Sequence, residues 1–555
     1  MMKKLLKTLL GKVPFAAEAY WMYEGSKKPW NAHYQLAGLQ EVLPQAVAEV
    51  KQFGLKADPS KKVCIFATLH YWIEQAGLVA LALAGQGHQV ELSYLPYAEW
   101  DKPIANFDLR MQHLYSQQTL LPADDVMRIV PLMDFPSYLN NSDEKVKLSD
   151  YPPELKEIVR QVSDYDTQYT LQVEETDTHS QLYKLRLKRN TQAAMALYDW
   201  LASSQPDVLI IPNGTILEMG VAYQIARMLH IRTVTFEFAD QRERIWLAQD
   251  DEIMSHHTDE LWQGLGGQPL PEAARKAVGD LAFARKNASL WGDFARQWQQ
   301  TPARGGSEVR QALGLDNRPI ALLATNVLGD SLTLGRQRIS GSMAEMIVGT
   351  IRWFLDHPEA QLVIRVHPGE LKTHGTSMVD VIQKNFPNLP EHIHLVRPDD
   401  DTNTYDLVET TDFGIVYTTT VGLEMAMTGL PVVVTGKTHY AEKGFTLDPA
   451  SWQDYESILA RLVADPTSMR LSQKQVEQAW LYAYLFFFEF SLPFPWHLLW
   501  LHEDFEARPM RFVLSPEGQQ RYAQTFGYLL GEPLNWADRG LARLPSLLKQ
   551  EETHQ

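Results

Sequence analysis

The chain has 555 residues, of which 45% are hydrophobic and 21% charged, and its formal net charge is -17 at pH 7. This length exceeds what one hydrophobic core supports, so two or more domains are expected. The acidic balance argues against sequence-independent nucleic-acid binding, which needs a basic surface. The single cysteine, Cys64, excludes an internal disulfide and favours a reducing cytoplasm.

Residues 1–30 are predicted to form a separate amphipathic helical segment. Lys7 and Lys12 interrupt the uncharged apolar run that a signal peptide requires. The apolar residues that share one helical face are Leu5, Leu6, Leu9, Leu10 and Val13. A basic amphipathic helix of this kind suits an anionic membrane surface, at the inner face of the membrane, or the surface of its own protein. The sequence does not choose between the two.

Residues 31–300 alternate between strand and helix patterns. A strand over 62–68, a helix over 74–83 and a strand over 89–94 make a βαβ unit, for which parallel pairing is expected. After a helical stretch, strands follow at 207–212 and 233–237. The alternation predicts a parallel sheet covered on both faces, that is, an N-terminal Rossmann-like domain.

A polar linker over 301–307 precedes a second doubly wound domain over 308–470. Its predicted strands lie at 320–324, 361–366, 393–396, 413–417 and 431–435. The remainder, 471–555, is predicted to be helical and aromatic and to pack back across the domains. Glu489 and the prolines 493 and 495 make its apolar part unsuitable as a membrane-spanning helix.

Two motifs of the second domain predict an anion site. The strand before His367-Pro368 must end there because proline cannot donate to a sheet, which leaves an imidazole at the strand end. The strand before Thr418, Thr419 and Thr420 delivers three hydroxyls and Gly422 to the start of a helix. Hydroxyl and backbone donors at such a position suit a phosphate. A carboxylate in the first helical turn, Glu424, suits a ribose diol.

Other candidate residues follow predicted strands. In the second domain these are Asn326 and the arginines Arg336 and Arg338, which suit a phosphate or a sugar carboxylate. In the first domain Asn213, Gly214 and Glu218 lie at the corresponding edge. Glu237 and Asp240 are the candidates for a general base or nucleophile, and His70 is a third. No metal site is predicted, because the acidic run Asp399–Asp401 is explained by helix capping.

Several segments in fixed order resemble the capsule polysaccharide biosynthesis family, which includes bacterial capsule Kdo transferases. They are Thr325-Asn-Val-Leu-Gly-Asp-Ser331, Ile364-Arg-Val-His-Pro-Gly-Glu370, Thr404-Tyr-Asp-Leu407, Tyr417-Thr-Thr-Thr-Val-Gly-Leu-Glu424, Gly429-Leu-Pro-Val432 and His439-Tyr-Ala-Glu-Lys-Gly-Phe-Thr446. The resemblance implies a metal-independent GT-B glycosyltransferase, in which two Rossmann-like domains face a cleft. It also implies that His367 and Thr418–Thr420 contact the phosphate of a nucleotide-sugar donor, with CMP-linked donors favoured, and that Glu424 contacts the ribose.

On this resemblance the partners are a nucleotide sugar and a glycan or glycolipid acceptor, with no cofactor beyond the donor substrate. Glu237 or Asp240 would be the base. Three alternatives stay open: a polyol-phosphate transferase of the teichoic acid type, a sugar-nucleotide epimerase, and a non-catalytic subunit of glycan assembly.

Overall fold

A computed structural model describes residues 7, 9–24, 31–55, 60–139, 147–290, 292, 294, 299, 301–373 and 375–547. The chain forms two compact units. Unit 1 comprises Met1–Thr167, Asp177–Met254 and Leu492–Leu534, and unit 2 comprises Gln168–Thr176, Ser255–Ser491 and Asn535–Gln555. Residues 255–300, which the sequence places with the first domain, thus belong to unit 2, and the C-terminal tail is shared between both units.

The strands of the described residues are β1 (Lys62–Thr68), β2 (Gln89–Leu95), β3 (Arg128–Ile129), β4 (Val208–Pro212), β5 (Arg232–Phe238), β6 (Arg244–Gln249), β7 (Ile320–Ala324), β8 (Gln361–Arg365), β9 (Ile393–Val396), β10 (Phe413–Val416), β11 (Val432–Val434) and β12 (Leu492–Pro493). The helices are α1 (Ala16–Glu24), α2 (Ala37–Phe53), α3 (His70–Gly85), α4 (Asn106–Leu120), α5 (Pro136–Leu139), α6 (Glu154–Leu171), α7 (Gln181–Ser204), α8 (Leu217–Met228), α9 (Asp259–Leu265), α10 (Glu272–Lys286), α11 (Gly306–Ala312), α12 (Met343–Leu355), α13 (Met378–Asn385), α14 (Thr404–Thr410), α15 (Val421–Met427), α16 (Trp452–Ala464), α17 (Gln473–Tyr484), α18 (Leu501–Ala507), α19 (Met510–Val513), α20 (Pro516–Leu529) and α21 (Trp536–Arg539).

Unit 1 contains a seven-stranded sheet in the order β12-β6-β5-β4-β1-β2-β3. The strands from β5 to β3 are parallel, whereas β6 pairs antiparallel with β5 and β12 antiparallel with β6. The central strands are buried on both faces, as their continuous apolar sequences require. Cys64 lies in β1, and burial raises the pKa of its thiol, so it is a core residue.

Unit 2 contains a parallel five-stranded sheet in the order β11-β10-β7-β8-β9. The register aligns the carboxyl ends of the central strands, since Ala324 pairs with both Val416 and Arg365. Side chains of the sheet, α12 and α16 fill one hydrophobic core, which includes Leu323, Ile347 and Leu459. The prediction of two doubly wound, Rossmann-like α/β sheets is therefore confirmed.

Each sheet has one point at which the strand order reverses. In unit 1 the chain proceeds from β1 to β2 and β3 on one side, then returns to place β4 and β5 on the other. In unit 2 the same reversal separates β8 and β9 from β10 and β11. Ligands of open α/β sheets bind beyond the carboxyl ends of the strands at such points. The two expected positions are thus between β1 and β4, and between β7 and β10.

The aromatic C-terminal region is packed inside the protein. Helix α17 continues into a π-helical turn, Leu485–Glu489, and both belong to unit 2. Tyr482, Tyr484 and Phe488 are fully buried there. Among the described residues no helix is long and apolar enough to cross a membrane.

The N-terminal segment falls only in part within the described residues, which leave out 1–6, 8 and 25–30. Residues 7, 9 and 10 are helical, the chain then turns over 11–15, and α1 follows. Val13 therefore lies in a turn and does not extend the helical face of Leu9 and Leu10.

Candidate functional site

The ends of β7, β8 and β10 are tied together by side chains that follow the strands. The backbone N–H of Thr418 donates to Asn326 Oδ1 over 3.2 Å. The backbone N–H of His367 donates to Thr325 Oγ1 over 3.1 Å. The predicted residues Asn326, His367 and Thr418 therefore meet at one edge of the unit 2 sheet. The bond between Asn326 and Thr418 spans β7 and β10, where the strand order reverses.

His367 is fixed in orientation by its own turn. Strand β8 ends at Arg365, and Pro368 begins the 3-10 turn Pro368–Lys372. The N–H of Gly369 donates to His367 Nδ1 over 2.9 Å. Because Nδ1 accepts, Nε2 carries the proton of the neutral ring and acts as a donor.

The second His-Pro step of the chain has a different environment. The His357 ring stacks on Trp353 with 3.7 Å between ring centroids. Its Nδ1 lies 2.6 Å from the Trp353 carbonyl oxygen, at the end of α12. His357 is thus a helix-end residue, as its sequence context indicates.

The three threonine hydroxyls have different surroundings. Thr419 Oγ1 accepts from the N–H of Val421 over 3.5 Å, and Thr420 Oγ1 accepts from Arg285 over 3.4 Å. The Thr418 side chain is 7% exposed, and its hydroxyl is buried without a hydrogen-bond partner. A buried polar group left unsatisfied costs about 1–3 kcal/mol, so this hydroxyl points to a partner supplied from outside the chain.

Gly422 permits a close approach of another side chain. The Tyr440 hydroxyl donates to the Thr419 carbonyl over 2.6 Å. A Cβ atom on Gly422 would lie 2.4 Å from that hydroxyl oxygen and 2.9 Å from Val416 Cγ2. The glycine therefore lets the Tyr440 ring lie against the threonine turn.

Glu424 is buried among internal partners. The Tyr405 hydroxyl lies 3.0 Å from each Glu424 oxygen, and Arg285 Nη1 lies 3.0 Å from Glu424 Oε1. Burial raises the pKa of this carboxyl, and the arginine and tyrosine oppose the rise. The ribose contact of Glu424 stays a prediction. Sequence reasoning missed Arg285, because nothing in the local pattern of α10 relates it to a residue 139 positions later.

The predicted arginines are placed differently. Arg336 Nη2 donates to Ser255 Oγ over 3.2 Å, and its carbonyl accepts the N–H of Lys437 over 2.9 Å. Arg338 contacts Glu442 over 2.7 Å and the Pro449 carbonyl over 3.1 Å. Arg338 is thus committed to a loop of its own unit. Within the described part of the chain, no group of three or more His, Cys, Asp or Glu side chains is arranged to hold a metal ion.

In unit 1 the predicted residues Asn213 and Glu237 meet. Asn213 and Gly214 follow β4 with φ angles of +58° and +85°. The Asn213 Oδ1 accepts from the N–H of Thr215 over 3.0 Å, and its Nδ2 donates to Glu237 Oε2 over 3.4 Å. A Cβ atom on Gly214 would lie 2.5 Å from Thr235 Cγ2, so only glycine fits that turn.

Glu237 lies near the end of β5 in a weakly polar environment. Burial raises the pKa of Glu237 to about 8, although the hydrogen bond from Asn213 acts in the opposite direction. A carboxyl with such a pKa gains and loses its proton close to neutral pH, as a general base must. Asp240 follows the strand two residues after its end and is half-buried.

His70 lies at the same edge of the sheet. It is the first residue of α3, after Leu69 with a φ of +66°. Its Nδ1 is buried without a hydrogen-bond partner, and burial lowers the pKa of the ring. From the same helix, Trp72 packs on Phe236 and Phe238 of β5, at ring-centroid distances of 5.6 and 6.5 Å. His70 and Asn213 thus flank the reversal point between β1 and β4.

Glu218 is held apart from these residues. Its carboxylate is 1% exposed and lies 3.0 Å from Arg186 Nη2. Arg186 is fully buried and also pairs with Asp166 over 2.9 Å. This arrangement explains Glu218 as part of an internal ion-pair network, and its acceptor-side role stays a prediction.

The sequence family of the second half agrees with its motifs. Residues 293–478 match the family model described as capsule polysaccharide biosynthesis protein. No curated protein matches the chain.

Several solved structures show low similarity. The Thermosulfurimonas dismutans KpsC beta Kdo 2,4 transferase shares 17% identity over 49% of this chain and 78% of its own, with a TM-score of 0.30. The beta Kdo 2,7 transferase of the same KpsC shares 13% identity over 51% and 79%, with a TM-score of 0.29. The Neisseria meningitidis UDP-GlcNAc 2-epimerase bound to UDP-GlcNAc shares 13% over 76% and 97%, with a TM-score of 0.25.

Similarities of this size do not identify a ligand or a reaction. The family match is independent of them and contains Asn326, His367 and Thr418. Residues 293–478 of this chain thus carry the sequence of the capsule polysaccharide biosynthesis family, which confirms the resemblance predicted from the motifs.

Proposed function

We propose that this protein is a glycosyltransferase that moves a sugar from a nucleotide-sugar donor, preferably CMP-linked, to a surface or capsular polysaccharide or a glycolipid. The observation that carries the proposal is the junction of Asn326, His367 and Thr418 at the reversal point of the unit 2 sheet. It lies within the region that matches the capsule polysaccharide biosynthesis family.

The unit 2 cluster suits the donor phosphate. His367 Nε2 and the Thr418 hydroxyl are donors whose positions are fixed by backbone hydrogen bonds and burial. Fixed donors stabilise the charge that develops on a leaving phosphate without reorganising during the reaction. Because these donors belong to the protein, the chemistry needs no metal ion to hold the phosphate. Metal-independent transfer is part of the proposal.

The unit 1 cluster suits proton transfer from an acceptor hydroxyl. Glu237, with its raised pKa and its hydrogen bond from Asn213, is the base that we propose, with His70 beside the same sheet edge. Asp240 remains the alternative carboxylate. An acceptor glycan or glycolipid would then bind along the edge formed by the ends of β1, β4 and β5.

A nucleotide-binding panel tests the donor site. Thermal unfolding is followed with CMP, CDP, UDP, GDP and dTDP, since a ligand that binds the native state raises the melting temperature. We expect a shift with CMP that is lost in His367→Ala. The matched control is His357→Ala, which removes the other His-Pro imidazole and should keep the CMP shift. If no nucleotide shifts the wild-type protein, the proposal fails.

The reaction itself is tested by product analysis. A glycosyltransferase releases CMP and forms a glycosidic bond, so no phosphorus enters the acceptor. Phosphorus NMR of the acceptor after incubation detects a polyol-phosphate transfer instead. Turnover of a nucleotide sugar in the absence of any acceptor would support an epimerase.

A further inference from the structure

The N-terminal helix α1 has two apolar faces, one of which is exposed. On one face Ala17 is fully buried, and Tyr20 and Trp21 pack with it against Phe107 and Met111 of α4. On the other face large apolar side chains are exposed, namely Phe15 at 73%, Met22 at 76% and Tyr23 at 87%. A helix that is apolar all round is normally buried on all sides.

The exposed side chains form a single surface by their spacing. Phe15 and Met22 are seven residues apart, which is two helical turns, so they lie on the same side, and Tyr23 is adjacent. Leu9 and Val13, in the preceding helical stretch and turn, are 55% and 50% exposed. We call Leu9, Val13, Phe15, Met22 and Tyr23 the N-terminal apolar surface.

The charge around this surface has the opposite sign from the rest of the chain. Residues 1–30 contain six lysines and two glutamates, a net charge of +4, whereas the whole chain carries -17 and the remainder therefore -21. Lys12 is exposed within the turn, and Lys7 pairs with Asp108 over 2.8 Å. An apolar surface surrounded by lysines is complementary to an anionic lipid bilayer.

We infer that the N-terminal apolar surface docks unit 1 onto an anionic membrane surface. Phe15, Met22 and Tyr23 enter the boundary between headgroups and acyl chains, and the lysines contact anionic headgroups. Helix α1 lies in the plane of the bilayer, since α4 covers its other face. This inference does not depend on the proposed glycosyl transfer.

Vesicle co-sedimentation of the full chain tests the inference. Vesicles of phosphatidylcholine alone are compared with vesicles that contain about one-third phosphatidylglycerol. We expect binding to the anionic vesicles, weakened by salt, and little binding to the neutral ones. Lys12→Ala should weaken binding about fivefold, since a lysine near an anionic surface contributes about that much.

The triple variant Phe15→Ser, Met22→Ser, Tyr23→Ser should weaken binding to anionic vesicles by at least about tenfold. A control with Phe283→Ser removes an equally exposed phenylalanine, 68% exposed, from α10 of unit 2 and should bind as the wild type does. The CMP shift of the triple variant shows that it is folded. Its loss with vesicle binding intact in the wild type would count against the proposed function and not against this inference.

Two results would overturn the inference. One is equal vesicle binding by the wild type and the triple variant. The other is absence of vesicle binding together with a wild-type dimer that light scattering shows to dissociate in the triple variant, which would make a second copy of the chain the occupant of the surface.

Discussion

The two sheet edges each hold a buried glutamate, and the two glutamates differ in what surrounds them. In unit 2, Glu424 lies 3.0 Å from the Arg285 guanidinium and accepts from Tyr405. In unit 1, the described residues place no cation within ion-pair distance of Glu237, which receives one side-chain hydrogen bond, from Asn213. A neutralised carboxylate supports structure, whereas one without a counter-charge has a pKa suited to proton transfer.

The remaining groups at the two edges differ in the same way. Unit 2 presents neutral donors, the His367 imidazole and the Thr418 hydroxyl, held by backbone contacts. Unit 1 presents groups that exchange protons near neutrality, Glu237 and His70. The similar sheets therefore serve different chemistry: one edge is suited to hold an anion and the other to move a proton.

The largest effect is expected from Glu237→Gln. Loss of a general base lowers the rate about 10²- to 10⁴-fold. Because Glu237 belongs to unit 1, the CMP shift of the melting temperature should be unchanged. The measurement is the transfer rate at saturating donor. Asp240→Asn is the matched control, with an expected loss of less than about tenfold, and the reverse ranking of the two variants would make Asp240 the base.

Glu424→Gln should instead affect stability. The substitution leaves the buried Arg285 guanidinium without its counter-charge, and removing one partner of a buried ion pair costs about 3 kcal/mol. The expected result is a lower urea midpoint with unchanged slope, and CMP affinity within about threefold of the wild type. A tenfold loss of CMP affinity with little change in the midpoint would support the predicted ribose contact.

The pH dependence of stability separates the two glutamates further. Since burial raises the pKa of Glu237 from 4.5 to about 8, the native state holds a proton that the unfolded state releases across this window. Stability from this group is therefore full at low pH and is lost as pH rises through about 8. Glu237→Gln should be more stable than the wild type at pH 9 by about 1–3 kcal/mol and equal to it near pH 4. Urea unfolding at both pH values measures the difference, and a parallel pH profile of the two proteins would contradict the raised pKa.

The sequence predicted the parallel strands well, because each is buried on both faces and carries a continuous apolar run. The predicted strands at 320–324 and 393–396 coincide with β7 and β9. Strands β6 and β12 escaped prediction: β6 contains polar residues at its ends, and β12 is a two-residue pairing with a proline, 243 positions after the residue with which Leu492's neighbour pairs is not a local signal. Such antiparallel additions depend on tertiary contacts.

The candidate sites show the same limit. Asn326, His367 and Thr418 could be predicted together because each directly follows a central strand, and parallel register brings the strand ends to one edge. Glu218 has the same kind of position after β4, yet it pairs with Arg186. The approach of Arg186 on α7 and of Arg285 on α10 is decided by helix packing, which no local pattern encodes.

The smallest effect distinguishes a ligand-binding hydroxyl from a structural one. Thr418→Val removes a hydroxyl that has no partner in the chain, so stability should be unchanged, while CMP affinity falls about tenfold through loss of a hydrogen bond to a charged phosphate. Thr435→Val is the control, because its buried hydroxyl donates to the Val416 carbonyl over 2.9 Å. That variant should lose about 1 kcal/mol of stability and keep its CMP affinity. Calorimetric titration and urea unfolding of both proteins give the four values. If Thr418→Val lowers stability and leaves CMP affinity intact, the unit 2 edge does not hold the phosphate through this hydroxyl, and the contrast between the two edges loses its anion-binding half.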